Sequence, residues 1–238
     1  MTCPRNITKG VRAPFVLAAA LVWLSAATNS RCAEAVAPAV ANLPAAGSYV
    51  LQRIQRVPDA QLLDADGKPA ALSSYVSGAV TALGFFYGHC EDAAGCPVAW
   101  STFEAARKAA ASDPLLEGRL RLLFVSLDPA RDTPAVLRLL GAAEQDGRAP
   151  PWLFLTGASE QDITPLLHAM GQDTGYEVDR AGRRTGVINH MLKVFLIDPQ
   201  GWVREIYSTA FLTPENLLND ARTLALAFPG ARNMPKER

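Results

Sequence analysis

The chain has 238 residues and sets 23 basic side chains against 23 acidic ones, a formal net charge of zero. That balance argues against a nucleic-acid binder, which would carry a basic excess. The apolar share, 49%, suits one globular domain with a targeting segment in front of it. Arg5, Lys9 and Arg12 make a positive start, residues 15–27 are apolar, and Ala33-Glu34-Ala35 has the small-x-small form of a cleavage site. Residues 1–35 therefore read as a secretory signal peptide or a membrane anchor. The apolar run falls short of the ~20 residues of a spanning helix, which favours export. The expected location is periplasmic or exported, with a tether to the inner membrane as the other outcome.

Residues 36–57 carry no clear period and are expected as a flexible lead-in to a domain at 58–228. Residues 61–64 and 69–72 flank the turn signal Asp66-Gly67 and predict an N-terminal hairpin. A helical turn is expected at 72–76. Residues 80–87 form a run of apolar and aromatic residues with Thr81 alone polar, as a strand buried on both faces would. Pro97 fits the first turn of a helix reaching about 111. A second buried strand follows at 120–126. Asp132-Thr133-Pro134 reads as the cap of a helix to about 144. Residues 152–156 make a third strand and 159–170 an amphipathic helix.

The polar stretch 174–185 suggests a hairpin or projecting loop. Strands are expected at 191–197 and 202–207, joined by the turn Asp198-Pro199-Gln200-Gly201. A last helix runs from Pro214 to about 228, and 229–238 reads as a frayed tail. Alternating strands and helices closed by an antiparallel hairpin predict an α/β fold. Its form is a thioredoxin-like mixed sheet flanked by helices, with an N-terminal hairpin and a C-terminal β-hairpin plus helix.

There are four cysteines, Cys3, Cys32, Cys90 and Cys96. Cleavage after Ala35 would leave only the last two. They lie where the strand at 80–87 meets the helix at Pro97. A helix N-terminus carries partial positive charge and favours thiolate over thiol. Thiolate serves equally as a nucleophile in disulfide exchange and as a ligand for soft metals. A purely structural disulfide would close so short a loop that it would add little stability. Of the three histidines, His168 lies on an amphipathic helix and reads as a surface or half-buried residue, while His89 abuts Cys90. His190 precedes a core strand. In a thioredoxin-like sheet the loop entering the final hairpin sits beside the strand-to-helix turn that bears the cysteines.

Four segments resemble the Sco/SenC family: residues 85–97, the run Ser126-Leu127-Asp128-Pro129-Ala130-Arg131-Asp132-Thr133-Pro134, Ile188-Asn189-His190, and residues 195–201. The resemblance covers roughly residues 57–227. These are thioredoxin-fold copper-handling proteins tied to cytochrome c oxidase assembly. By position, the resemblance implies Cys90, Cys96 and His190 as metal ligands and copper as the metal. Two sulfurs and an imidazole suit Cu(I), and zinc would accept the same set with a fourth ligand. The implied role is a metallochaperone delivering copper to an oxidase subunit. The other reading is a periplasmic thiol-disulfide oxidoreductase acting through Cys90 and Cys96 on a copper-site precursor or other thiol protein. The family spacing is C-x3-C, whereas this chain has C-x5-C, with Glu91 and Asp92 beside Cys90. The D-P-x-R-D-T-P run reads as a strand exit plus helix cap with no chemistry of its own.

Overall fold

The computed structural model describes residues 43–142 and 150–232. The expected leader, residues 36–42 of the lead-in, the end of the helix expected to 144 and residues 233–238 of the tail lie outside them. At the centre are two parallel strands, β4 (Val80–Phe86) and β5 (Leu120–Ser126), buried at every position. A strand covered on both faces carries few polar residues, here Thr81 in β4 and Arg121 and Ser126 in β5, and so these two runs read as buried strands. β6 (Trp152–Thr156) adds in parallel to β5. Parallel neighbours need crossovers. Those crossovers carry α2 (Cys96–Ala110) and α3 (Pro134–Ala142). On the other side of β4, β9 (Lys193–Ile197) pairs antiparallel and turns back into β10 (Trp202–Ser208). The Asp198 carboxylate fixes that turn by accepting from the backbone N–H of Gln200 and Trp202 at 2.9 and 3.0 Å.

The N-terminal hairpin is present as β2 (Gln61–Asp64) and β3 (Pro69–Ala71), followed by the short α1 (Leu72–Val76). β2 docks antiparallel on β6. α4 (Glu160–Ala169) starts at Ser159, whose hydroxyl accepts from Asp162 N–H, and α5 (Pro214–Ala227) starts in the same way at Thr213. A two-residue strand, β1 (Gln55–Arg56), pairs with β10 at the sheet edge. The sheet order is β1-β10-β9-β4-β5-β6-β2-β3. This is the mixed, helix-flanked, thioredoxin-like arrangement expected from the sequence.

Two segments differ from expectation. Residues 43–57 are packed rather than loose: Leu51 is buried, Tyr49 donates to the Asp220 carboxylate, and Arg204 holds the Leu51 carbonyl. The ordering comes from single anchors and a sheet edge, and neither leaves a period in sequence. At the other end, Arg232 N–H donates to the Gly78 carbonyl at 2.8 Å and Ala231 is buried, so the start of the tail is tied down.

The core under α2 is aromatic. Phe124 is ringed by Phe86, Trp100, Phe103, Trp152 and Phe154, with centroids 4.6 to 5.9 Å away. Gly84 makes room for it, since a Cβ there would fall 2.7 Å from the Phe124 ring. The packing fixes where β4 ends and α2 begins, and the cysteines lie at that junction.

Candidate metal centre

Cys96 is the first residue of α2, with Gly95 as the N-cap and Pro97 in the first turn. It is buried, while Cys90, in the loop after β4, is half-buried, and both thiols are free. The loop between them is closed locally. The Asp92 carboxylate accepts from Ala94 N–H at 3.0 Å, and the Asp92 carbonyl accepts from Gly95 N–H at 2.9 Å. The two residues beyond family spacing are thus absorbed in an Asx turn that ends at the helix.

His190 arrives from a hairpin standing apart from the main sheet, formed by β7 (Thr174–Val178) and β8 (Arg184–His190). The hairpin fulfils the expectation at 174–185, but its second strand runs on to His190, and the next core strand starts at Lys193 rather than 191. Strand alternation places Gly186, Ile188 and His190 on one face of β8. Ile188 is buried and His190 half-buried, whereas Val187 and Asn189 are exposed.

The three sequence-predicted ligands meet. One donor atom from each of Cys90, Cys96 and His190 lies within 4.8 Å of the others. His190 Nε2 is 3.7 Å from Cys96 Sγ. Metal–ligand bonds of ~2.0–2.3 Å in a trigonal site put ligands roughly 3.5–4 Å apart, which the His190–Cys96 pair matches and the full set, within 4.8 Å, approaches. His190 Nδ1 is buried without a hydrogen-bond partner. Burial lowers the proton affinity of the imidazole below its ordinary range, which favours the neutral ring that a ligand must be. His89 and His168 are both exposed.

The expected thiolate at the helix head is not what the environment favours. Burial pushes the Cys96 thiol up to about 12, against a smaller opposing contribution from the Tyr87 backbone. Desolvation outweighs the helix terminus here. A metal at this position would displace the thiol proton, so binding would release protons.

Tyr87, Arg131 and Asp132 also shape the site, and none of them was singled out from sequence for this purpose. Asp132 is fully buried in the D-P-x-R-D-T-P run. Its carboxylate accepts from Gly88 N–H at 3.0 Å and from the Ser126 hydroxyl at 2.6 Å. It anchors the loop that carries Cys90. Arg131 donates to the Gly186 carbonyl at 3.1 Å, on the strand that carries His190, and pairs with Asp128 at 3.5 Å. Both contacts need glycine. A Cβ on Gly88 would come 2.7 Å from the Asp132 carboxylate, and one on Gly186, where φ is +99°, would overlap the Arg131 guanidinium. The run read as a strand exit and cap thus braces both arms of the site. The signal available in sequence was its density of charge beside a buried strand.

The family model described as SCO1/SenC matches residues 52–226. Protein SenC of Rhodobacter capsulatus is 31% identical over 150 residues, 61% of this chain and 61% of that protein, so the chain spans less than two thirds of that relative's length. A SCO1/SenC family lipoprotein from Bacillus anthracis superposes with a TM-score of 0.60 at 22% identity, over 74% of this chain and 99% of that one. The structure of Bradyrhizobium japonicum ScoI with copper bound superposes with a TM-score of 0.55 at 24% identity, over 71% and 99%. Both superpositions agree on the fold. The matched span holds the whole sheet and all three converging donors, and the chain belongs to the SCO1/SenC family.

Proposed function

We propose that this protein is an exported copper-binding metallochaperone that delivers copper to a cytochrome c oxidase subunit during assembly. The observation that carries the reading is the convergence of two thiols and one imidazole, from three separate elements, within 4.8 Å. Disulfide exchange needs only the two sulfurs, whereas a soft-metal site uses all three. Three ligands leave one side of the ion open to an acceptor's cysteines. The copper-bound B. japonicum relative supports the choice of metal. The N-terminal segment is assigned to export, with the domain acting in the periplasm or tethered to the inner membrane. Among the described residues no helix is long and apolar enough to cross a membrane.

Titrating the reduced protein with Cu(I) against a competing chelator tests this. Wild type should bind one tight equivalent. Loss of a supporting partner of a metal ligand costs ~10–100-fold in affinity, so loss of the ligand itself in His190→Ala should cost at least that. Wild-type affinity in His190→Ala would sink the proposed site.

A second reading rests on the unequal exposure of the thiols. Half-exposed Cys90 is placed to attack a substrate disulfide, and buried Cys96 to resolve the mixed disulfide, with two electrons passing to the substrate. Reductase activity in copper-free protein, lost in Cys90→Ser and kept in His190→Ala, would favour this thiol-disulfide oxidoreductase.

A further inference from the structure

Gln172, between α4 and β7, is only 1% exposed. Its backbone closes the cap of α4. Gly171, at φ +61°, donates its N–H to the His168 carbonyl at 2.9 Å, and the Gln172 N–H donates to the Leu167 carbonyl at 2.7 Å. This is the Schellman pattern, in which the residue after the left-handed one commonly packs an apolar side chain on the last turns of the helix. A leucine would complete the cap. The chain instead buries an amide there, which costs free energy unless both of its ends are bonded.

One end has its partner: the Gln172 amide nitrogen donates to the Met191 carbonyl at 2.8 Å. A carbonyl can only accept, so the amide nitrogen faces it and the amide oxygen faces the other way. That oxygen is buried with no partner among the described residues, and so is His190 Nδ1. The strand register brings the two side chains together. Thr174 lies opposite His190 in the β7–β8 pair. Continued two residues back, the same register sets Gln172 opposite Leu192 and diagonal to His190. Burial follows it: Gln172 and Leu192 are buried, Thr174 and His190 half-buried, while Asp173 and Met191 between them are exposed. Diagonal neighbours on one face stand about 7–8 Å apart, within reach of long side chains. The other ties on β8 are Arg131 on the Gly186 carbonyl and the Tyr87 hydroxyl, which accepts from Ile188 N–H at 3.4 Å. Both act on backbone and not on the imidazole.

We propose that Gln172 is a positioning residue of the metal centre: its amide oxygen takes the Nδ1–H of His190 through one buried water and holds the ring with Nε2 bare towards Cys96. A buried donor and a buried acceptor, each unpaired by protein, are satisfied together by one water. A metal-ligating histidine almost always donates its second ring N–H to such a partner, which sets both tautomer and ring orientation. His190 Nε2, 3.7 Å from Cys96 Sγ, is the nitrogen left to ligate. The use of this arrangement depends on the copper reading, whereas the tautomer exists without copper.

Nitrogen NMR of histidine-labelled, metal-free protein tests the assignment. Free histidine favours the proton on Nε2, whereas His190 in wild type should carry it mainly on Nδ1. Gln172→Leu supplies the apolar side chain that the α4 cap takes and removes the acceptor. It should move the tautomer balance about tenfold towards Nε2–H. Gln172→Glu keeps an oxygen on that side and should return the proton to Nδ1. Cu(I) affinity by chelator competition should fall about tenfold in Gln172→Leu. Nε2–H as the main tautomer of wild type, or an unchanged balance in Gln172→Leu, would overturn the proposal. Failure of wild type to bind Cu(I) would instead strike the copper reading and leave the tautomer readout standing. If Gln172→Leu does not fold, wild type decides alone. Its Nδ1 proton should exchange slowly with solvent, and a proton that is absent from Nδ1 or exchanges as fast as in free histidine would overturn the assignment.

Discussion

The aromatic core beneath α2 and the rim that carries the metal donors lie at opposite extremes of redundancy. Phe124 sits inside a cage of five other rings, and no single neighbour is indispensable to its burial. The rim is held by single polar contacts: Asp132 to Gly88, Arg131 to Gly186, and Tyr87 to Ile188. Packing energy is collective, since each carbon pair contributes little and many pairs add. A polar contact is discrete and is lost whole when one partner goes. The core should therefore govern whether the chain folds, and the rim whether the three donors meet. Stability and metal affinity should be separable by mutation.

The largest expected effect on stability belongs to the core. Phe124→Ala removes the ring at the centre of the cage and should cost about 3–5 kcal/mol. Denaturant unfolding with a shared slope measures it. Copper affinity measured well below the unfolding midpoint should change less than threefold. A core variant that kept its fold but lost copper binding tenfold would break the proposed separation.

Asp132 lies between the two regimes, buried like the core and polar like the rim. Asp132→Ala leaves the Gly88 N–H and the Ser126 hydroxyl without their acceptor and should cost ~1–3 kcal/mol. It should also loosen the Cys90 loop and weaken Cu(I) binding. The pH dependence gives a sharper signature. Burial raises the proton affinity of the Asp132 carboxyl above the usual carboxylate range, despite the opposing bonds from Ser126 and Gly88. The folded state then holds the proton more tightly than the unfolded one. The stabilisation from that tighter proton binding is fully present below the unfolded carboxyl value of about 3.9, and it is lost as pH rises through the raised folded value. Urea midpoints recorded against pH should show this decline in wild type and lack it in Asp132→Asn. The same slope in both proteins would mean that Asp132 is not its source.

The contrast also accounts for what could be read in advance. β4 and β5 are legible because burial on both faces demands dense apolar runs, broken only by Thr81 in β4 and by Arg121 and Ser126 in β5. Cys90, Cys96 and His190 were legible as a set because the family resemblance placed them, and their order along the fold allowed them to meet. β8 was read too short because its residues Arg184 to His190 alternate only weakly, with Ile188 alone fully buried. β1 escaped notice because two residues cannot show a period. The bracing roles of Arg131 and Asp132 were invisible for a different reason. A charged run after a strand looks the same whether it caps the next helix or reaches across to a glycine carbonyl 55 residues away. Tyr87 reads as the last apolar position of a strand, and only the bond its hydroxyl accepts from the Ile188 N–H sets it apart.

The smallest expected stability effect comes from Arg131, and it tests the separation most cleanly. The side chain is 43% exposed, and its pair with Asp128, 14% exposed, is long at 3.5 Å. Exposed pairs contribute ~0–1 kcal/mol, so Arg131→Ala should leave the unfolding midpoint nearly unchanged. Its bond to the Gly186 carbonyl, however, is a tie between the D-P-x-R-D-T-P run and the strand that presents His190. Without it the hairpin is still held by the Tyr87–Ile188 bond and by Gln172, which donates to the Met191 carbonyl at 2.8 Å. His190 should therefore be loosened but not released. Cu(I) affinity should fall by about three- to tenfold, less than the ~10–100-fold typical of losing a direct partner of a ligand. Arg131→Lys keeps the charge but not the planar fork that reaches over Gly186, and should restore little. Full copper affinity in Arg131→Ala would mean that β7 and β8 hold His190 without help from the run. A loss of several kcal/mol in stability would mean that rim and core are one cooperative unit.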